Sequence, residues 1–250
     1  MRRILLVLAL VAPAVSVAER RAPERRAIVT PVEEFTNRRA TISHVLYLER
    51  CRGGCTVTKA NTNDAKQNLS TVPQSAGTKT ITEFRNRDNQ SGAAADQEWA
   101  ELVQCMREVY SPFDIEITDT KPTSGTYHVA VVAGFPSELG FGEDILGVAP
   151  LASNCSAQDN VMSFSFANAH GPTARVENLC WTASQESAHA FGLDHAFQFL
   201  DGRSTCNDPM TYRVDCGGQR FFRNQRAKCG EFAERPCRCG DTQNSHKKLL

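Results

Sequence analysis

Gln185, His189 and His195 carry lone pairs at a spacing that lets them meet, and an acid, Glu186, stands beside them. Positions 185 and 189 are four apart, so on a helix they project from one face, one turn above the other. Gly192 falls where such a helix would have to turn back sharply, and glycine enters the left-handed region at little cost. A break there lets His195 return toward the other two. The set suits one metal ion with an open fourth position. The ion would polarise a scissile carbonyl and acidify a water, while Glu186 takes the proton of that water and hands it to the leaving amine. No Ser or Cys is poised with a base, so attack by water without a covalent intermediate is expected.

The string Glu186, His189, Gly192, His195, an E-x-x-H-x-x-G-x-x-H pattern, resembles the zinc-binding consensus of the metzincin metalloendopeptidases. A second stretch, Asp208-Pro209-Met210-Thr211-Tyr212, resembles their Met-turn, with Met210 fifteen residues after His195. The resemblance implies a zinc-dependent endopeptidase in which Glu186 is the general base and His189 and His195 are ligands, with Gln185 as the third. It further implies that Met210 forms an apolar floor under the one zinc ion and that Tyr212 reaches the metal or the transition state. An extended peptide or protein substrate would add along the edge strand of the sheet.

The chain departs from that family at position 185, where the first ligand is Gln instead of His. An amide oxygen is neutral, harder and a weaker donor than imidazole, so metal affinity is expected to fall by at least ~10–100-fold. Three compensations are open: recruitment of Tyr212, an extra water, or a Gln185 held through its amide hydrogens. Loss of the metal leads to the alternative reading, a non-catalytic binding module that keeps the cleft without turnover. Glu186, His189 and His195 gathered without any ion would be part-buried polar groups in need of other partners, which favours an ion.

The elements that must position these groups follow from patterning. Ala40–Arg50 is rich in strand formers, and residues 56–90 read as a long polar loop with one short strand near Thr78–Phe84. Ala93–Tyr110 places Trp99, Leu102, Val103 and Met106 at helical spacing. Phe113–Thr118, Tyr127–Phe135 and Asn160–Ala167 read as strands, the second nearly all apolar and hence central. Ile145–Leu151 carries Pro150, which suits an edge strand. A second helix starts at Arg175, with Val176, Leu179, Cys180 and Ala183 on its inner face. The expected fold is α+β, a metzincin-like twisted mixed sheet with two long helices, over residues 40–222. A Cys-rich tail, 223–250, follows it.

Met1-Arg2-Arg3, the apolar run Ile4–Ala12 and the small residues Ser16-Val17-Ala18 form the pattern of a secretory signal peptide over residues 1–18. Residues 19–39 are charge-dense and aperiodic and read as a flexible arm or short pro-segment. Export to the medium, the periplasm or the cell surface makes the ten cysteines a disulfide set before anything else. The spacing favours Cys51–Cys55 and Cys206–Cys216. The whole chain of 250 residues balances 28 Lys and Arg against 28 Asp and Glu, so it has no basic footprint for nucleic acid. No run beyond the signal approaches the ~20 apolar residues of a membrane span. A monomer is expected. His44, His128, His170 and His246 lack spacing partners and are expected to be structural or exposed. Asp194 is expected to cap the end of the helix before it, the alternative being a hydrogen bond to a ligand histidine.

Overall fold

The computed structural model describes residues 43–213, 216 and 218–250, and the backbone of 26–32; the stretch 1–18 expected to be a signal peptide and the rest of the expected arm lie outside the described residues. The elements are, in order, β1 (Arg26–Val32), β2 (Val45–Glu49), β3 (Cys55–Lys59), β4 (Leu69–Ser70), β5 (Thr78–Ile81), α1 (Asp96–Tyr110), β6 (Glu116–Thr118) and β7 (His128–Val132). They continue with β8 (Ile145–Ala152), β9 (Met162–Ser165), α2 (Arg175–His189), β10 (Ala196–Phe199), β11 (Ala227–Cys229) and α3 (Ser245–Leu249).

Six strands form one mixed sheet in the order β1-β8-β9-β7-β2-β6. All its pairings are parallel except β8 with β9. Successive side chains of a strand point to opposite faces, and this sorts the apolar residues into two cores. Leu46, Leu48, Ala130 and Val132 face the helices, where they join Leu102, Met106, Leu179 and Ala183. Tyr47, Val129, Val131, Val148 and Phe164 face the other way, onto Val57, Val72 and Ile81. Every residue of β7 is buried, as its apolar run demands. The result is an α+β fold with a mixed sheet backed by two 15-residue helices.

Three expectations need correction. The stretch 56–90 is a small sheet of order β4-β3-β5, not one loop with a single strand. It buries only a few apolar side chains, among them Val57 and Ile81, so its sequence reads as polar although its backbone is paired. Helix α2 has no single inner face, because every residue from Leu179 to His189 is buried. Finally, β8 is not an edge strand. Arg26–Val32, within the stretch expected to be an arm, pairs with it in parallel, Ala27 opposite Gly147 through to Val32 opposite Ala152. Pro150 is still accommodated, since β9 pairs with β8 only at Gly147 and Val148 and leaves the proline outside that ladder.

Five disulfides close the chain. Cys51–Cys55 and Cys206–Cys216 are the two expected from spacing. Cys105–Cys180 joins α1 to α2, Cys155–Cys239 ties the turn after β8 to the tail, and Cys229–Cys237 closes a loop within the tail. Such a set fits an extracellular protein. Among the described residues no helix is long and apolar enough to cross a membrane.

Candidate metal centre

Helix α2 ends at His189, and the chain reverses at Gly192, whose φ is +82°. A Cβ there would stand 2.1 Å from the Cys155 carbonyl oxygen, so both conformation and space require glycine. The reversal brings the His195 ring back beside His189, with ring centroids 4.8 Å apart, and beside Tyr212, at 4.9 Å. Met210, fully buried, lies two residues before Tyr212. Its amide donates to Asp208 Oδ1 and its carbonyl accepts from the Ala196 amide.

The hydrogen bonds around these residues fix which atoms remain free. His189 Nδ1 lies 2.6 Å from the Leu193 carbonyl oxygen. A carbonyl only accepts, so Nδ1 carries the proton and Nε2 keeps its lone pair. His195 Nδ1 lies 2.8 Å from Glu231 Oε1, a carboxylate oxygen, which sets the same tautomer. Gln185 Nε2 donates to two carbonyls, Pro209 at 2.9 Å and Thr211 at 2.6 Å. Because both partners are acceptors, the amide cannot be turned the other way. Of the compensations open to a Gln at this position, the one in place is a side chain held through its amide hydrogens. Trp181, one turn earlier on α2, donates to the same Pro209 carbonyl at 3.0 Å. The helix is thus fastened to the turn on both sides of Met210.

Gln185 Oε1, His189 Nε2 and His195 Nε2 are buried and have no hydrogen-bonding partner among the described residues. All three are acceptors on side chains whose donors are spent elsewhere. Buried acceptors of this kind are satisfied when they share a cation. Two imidazole nitrogens and an amide oxygen form a donor set that fits zinc, with a fourth position left over. Burial pushes the His189 imidazole down to about 3, with the neighbouring His195 adding to the effect, so it stays in the neutral form that can ligate.

Glu186 is fully buried with both carboxylate oxygens unpartnered among the described residues. Burial raises its pKa well above the ordinary value. Its side chain rests against Gly147 of β8, where a Cβ would stand 2.7 Å from Oε1 and 2.6 Å from Cγ. The acid therefore lies between its own helix, α2, and strand β8.

Asp194 does not cap α2. Its Oδ1 accepts from the His195 amide at 2.8 Å, and both its oxygens accept from Arg235 at 2.7 Å. Asp194, His195 Nδ1 and Glu231 also bring their ligand atoms within 4.8 Å of one another. That group is not a metal site, because the Arg235 guanidinium already lies between the two carboxylates, 2.5 Å from Glu231 Oε1. Burial works to raise the Glu231 carboxyl, but the hydrogen bonds from His195 and Arg235 outweigh it and hold the group well below the usual carboxylate range.

The structure brings His189, His195 and Tyr212 together, fastens Gln185 to the turn that carries Met210, sets Glu186 against Gly147, and puts Gly192 at the reversal. Sequence reasoning missed Glu231, Arg235 and Gly147. Glu231 is 36 residues from the ring that it holds, and no local spacing signals such a contact. No protein-family model matches the chain, and no curated protein matches it.

Proposed function

We propose that the chain is a zinc-dependent metalloendopeptidase of metzincin type, acting outside the cytoplasm. The observation that carries this reading is the buried set of three acceptors, Gln185 Oε1, His189 Nε2 and His195 Nε2, with no donor to meet them among the described residues. His189, His195 and Gln185 would hold the ion, which when bound supplies Lewis acidity and an acidified water. Glu186, kept protonatable by its burial, exchanges the proton between the attacking water and the leaving amine. Tyr212 packs on His195 and would stabilise developing oxyanion charge. An extended peptide would take up the outer side of β8, a position that already accepts the seven residues Arg26–Val32 in register. Access then requires that segment to give up its place.

Two observations favour a second reading, a non-catalytic binding module. Gln185 is a weaker ligand than imidazole, and β8 is covered by β1. Metal content of the purified, oxidised mature chain after dialysis against a weak chelator separates the two. About one zinc per chain is expected, together with cleavage of a peptide library that Glu186→Gln abolishes while zinc and fold are kept. Folded protein without metal removes the protease reading and leaves the binding module.

A further inference from the structure

We infer that Glu231 is a positioning residue for His195, and that the loop closed by Cys229–Cys237 is part of the metal centre rather than of a separate tail. The inference rests on the reading of His195 as a ligand. The loop grips that residue at its backbone and its ring. Ala196 pairs with Cys229 where β10 meets β11, and the Gly230 amide donates to the His195 carbonyl at 3.2 Å. A Cβ on Gly230 would stand 1.9 Å from the Ala233 carbonyl oxygen, so the loop closes this tightly only with glycine. From the next residue, Glu231 Oε1 accepts the Nδ1 proton at 2.8 Å.

Arg235, in the same loop, joins both holds. It donates to Glu231 through Nε at 2.9 Å and Nη2 at 2.5 Å, and to Asp194, which in turn accepts from the His195 amide. The Asp194–Arg235–Glu231 group carries two negative charges and one positive, so a net negative charge stands behind the His195 ring. A carboxylate on the far nitrogen fixes the tautomer and makes Nε2 a better donor to a cation. The two histidines differ here, because His189 Nδ1 meets only the neutral Leu193 carbonyl. Strengthening His195 offsets what the amide of Gln185 lacks as a ligand. The Glu231 side chain is 30% exposed, so solvent screens part of this charge.

The test uses the full mature chain with its disulfides intact. Zinc affinity is measured by competition with a chromophoric chelator for wild type, Glu231→Gln and Glu234→Gln, and nitrogen-15 NMR reads the His195 ring in metal-free wild type and Glu231→Ala. Glu231→Gln keeps the size and removes the charge, and its zinc affinity is expected to fall about 10–100-fold. Glu234, in the same loop and paired outward with Lys228, is expected to leave affinity unchanged on the same substitution. In metal-free wild type the His195 proton is expected on Nδ1 alone, and Glu231→Ala is expected to mix the tautomers while His189 stays as it was. Wild-type affinity in Glu231→Gln overturns the inference, as does an equal loss in Glu234→Gln. Should wild type bind no zinc, the ligand reading fails on its own, and the ring is then decisive: a mixed His195 tautomer in wild type, or no change in Glu231→Ala, overturns the positioning role.

Discussion

Glu186 and Gly147 fit together with no room for a methyl group between them: the place of a Cβ on Gly147 lies 2.6 Å from Glu186 Cγ and 2.7 Å from Oε1. The buried acid is therefore aimed by the absence of a side chain on β8. Gly147 has no positive φ, so alanine there meets a steric conflict without added backbone strain. Gly147→Ala should push Glu186 aside and lower kcat about 100-fold, the usual scale for an ångström of misplacement, while zinc content stays at the wild-type level. Steady-state kinetics on a cleaved library peptide, with metal analysis of the same samples, check this. Turnover within twofold of wild type would show that the contact does not aim the acid.

Gln185 holds the Met210 turn through its amide nitrogen and would ligate the proposed ion through its amide oxygen, and one substitution should separate the two roles. In Gln185→His an imidazole replaces the amide oxygen as donor, so zinc affinity should rise at least ~10-fold. The imidazole has one proton to give where the amide gives two, so either the Thr211 carbonyl loses this donor or the Pro209 carbonyl is left with Trp181 alone. The metal-free variant should then be less stable by about 1–2 kcal/mol. Chelator competition and denaturant unfolding of the metal-free protein read the opposite signs. Unchanged affinity would mean that position 185 does not face the ion.

The elements that sequence made legible are those whose logic is local. Helical spacing exposed α1, the apolar run exposed β7, and the 185–195 string together with Met210 and Tyr212 lies within a single helix, its reversal and a nearby turn. The rest depends on long-range partners. Glu231 reaches His195 from a loop shaped by a disulfide and two backbone contacts, and nothing in the residues around either position encodes the pairing. The covering of β8 by β1 was hidden because the short apolar run Ala27–Val29 lies between charged flanks, and its partner strand stands far along the chain. The pairing of α2 with surfaces on all sides likewise depends on what surrounds it, and a polar string such as Ser184–Glu186 reads as an exposed face until the neighbours are known.

Strand β1 pairs with β8 over the register where an extended substrate would add. A chain that begins at residue 33 should therefore cleave peptides faster than one that begins at residue 19, with equal zinc content. A synthetic peptide RAIVTPV should slow the shorter chain. Rates compared at equal protein and metal check this, and equal rates would place the peptide path elsewhere than on β8.

Glu98 and Arg175 are both buried, and the pair locks α1 to the start of α2 at 2.8 Å. Arg175 also donates to the carbonyls of His170 and Arg85, each at 2.6 Å. In Glu98→Gln the guanidinium stays buried without its counter-charge, which should cost about 3–5 kcal/mol. Glu101→Gln, at an exposed contact 3.8 Å from Arg87, should change stability by less than about 0.5 kcal/mol. Urea unfolding of the three proteins decides it, and equal midpoints for the two variants would show that the buried pair is not special.

His128 sits at the first position of β7, buried, with its ring edge-on to Phe191 at 5.1 Å and its Nε2 unpartnered among the described residues. Burial pushes its pKa from 6.5 down to about 4, so the fold accepts the neutral ring and resists the charged one. The unfolded chain binds a proton near pH 6.5, while the folded chain does so only near 4. Stability from this residue is thus fully present above pH 6.5 and is lost as the pH falls through that window, by about 3 kcal/mol when both forms are protonated. Asp208 has the opposite sign, since burial raises its carboxyl to about 6 and acidification favours its folded form. Wild type alone therefore gives a mixed curve, and the comparison with His128→Gln isolates the histidine. The stability difference between the two proteins should be flat above pH 7 and should shift steadily in favour of the variant between pH 6.5 and 4. A difference that does not change with pH would mean that His128 is free to ionise in the folded protein.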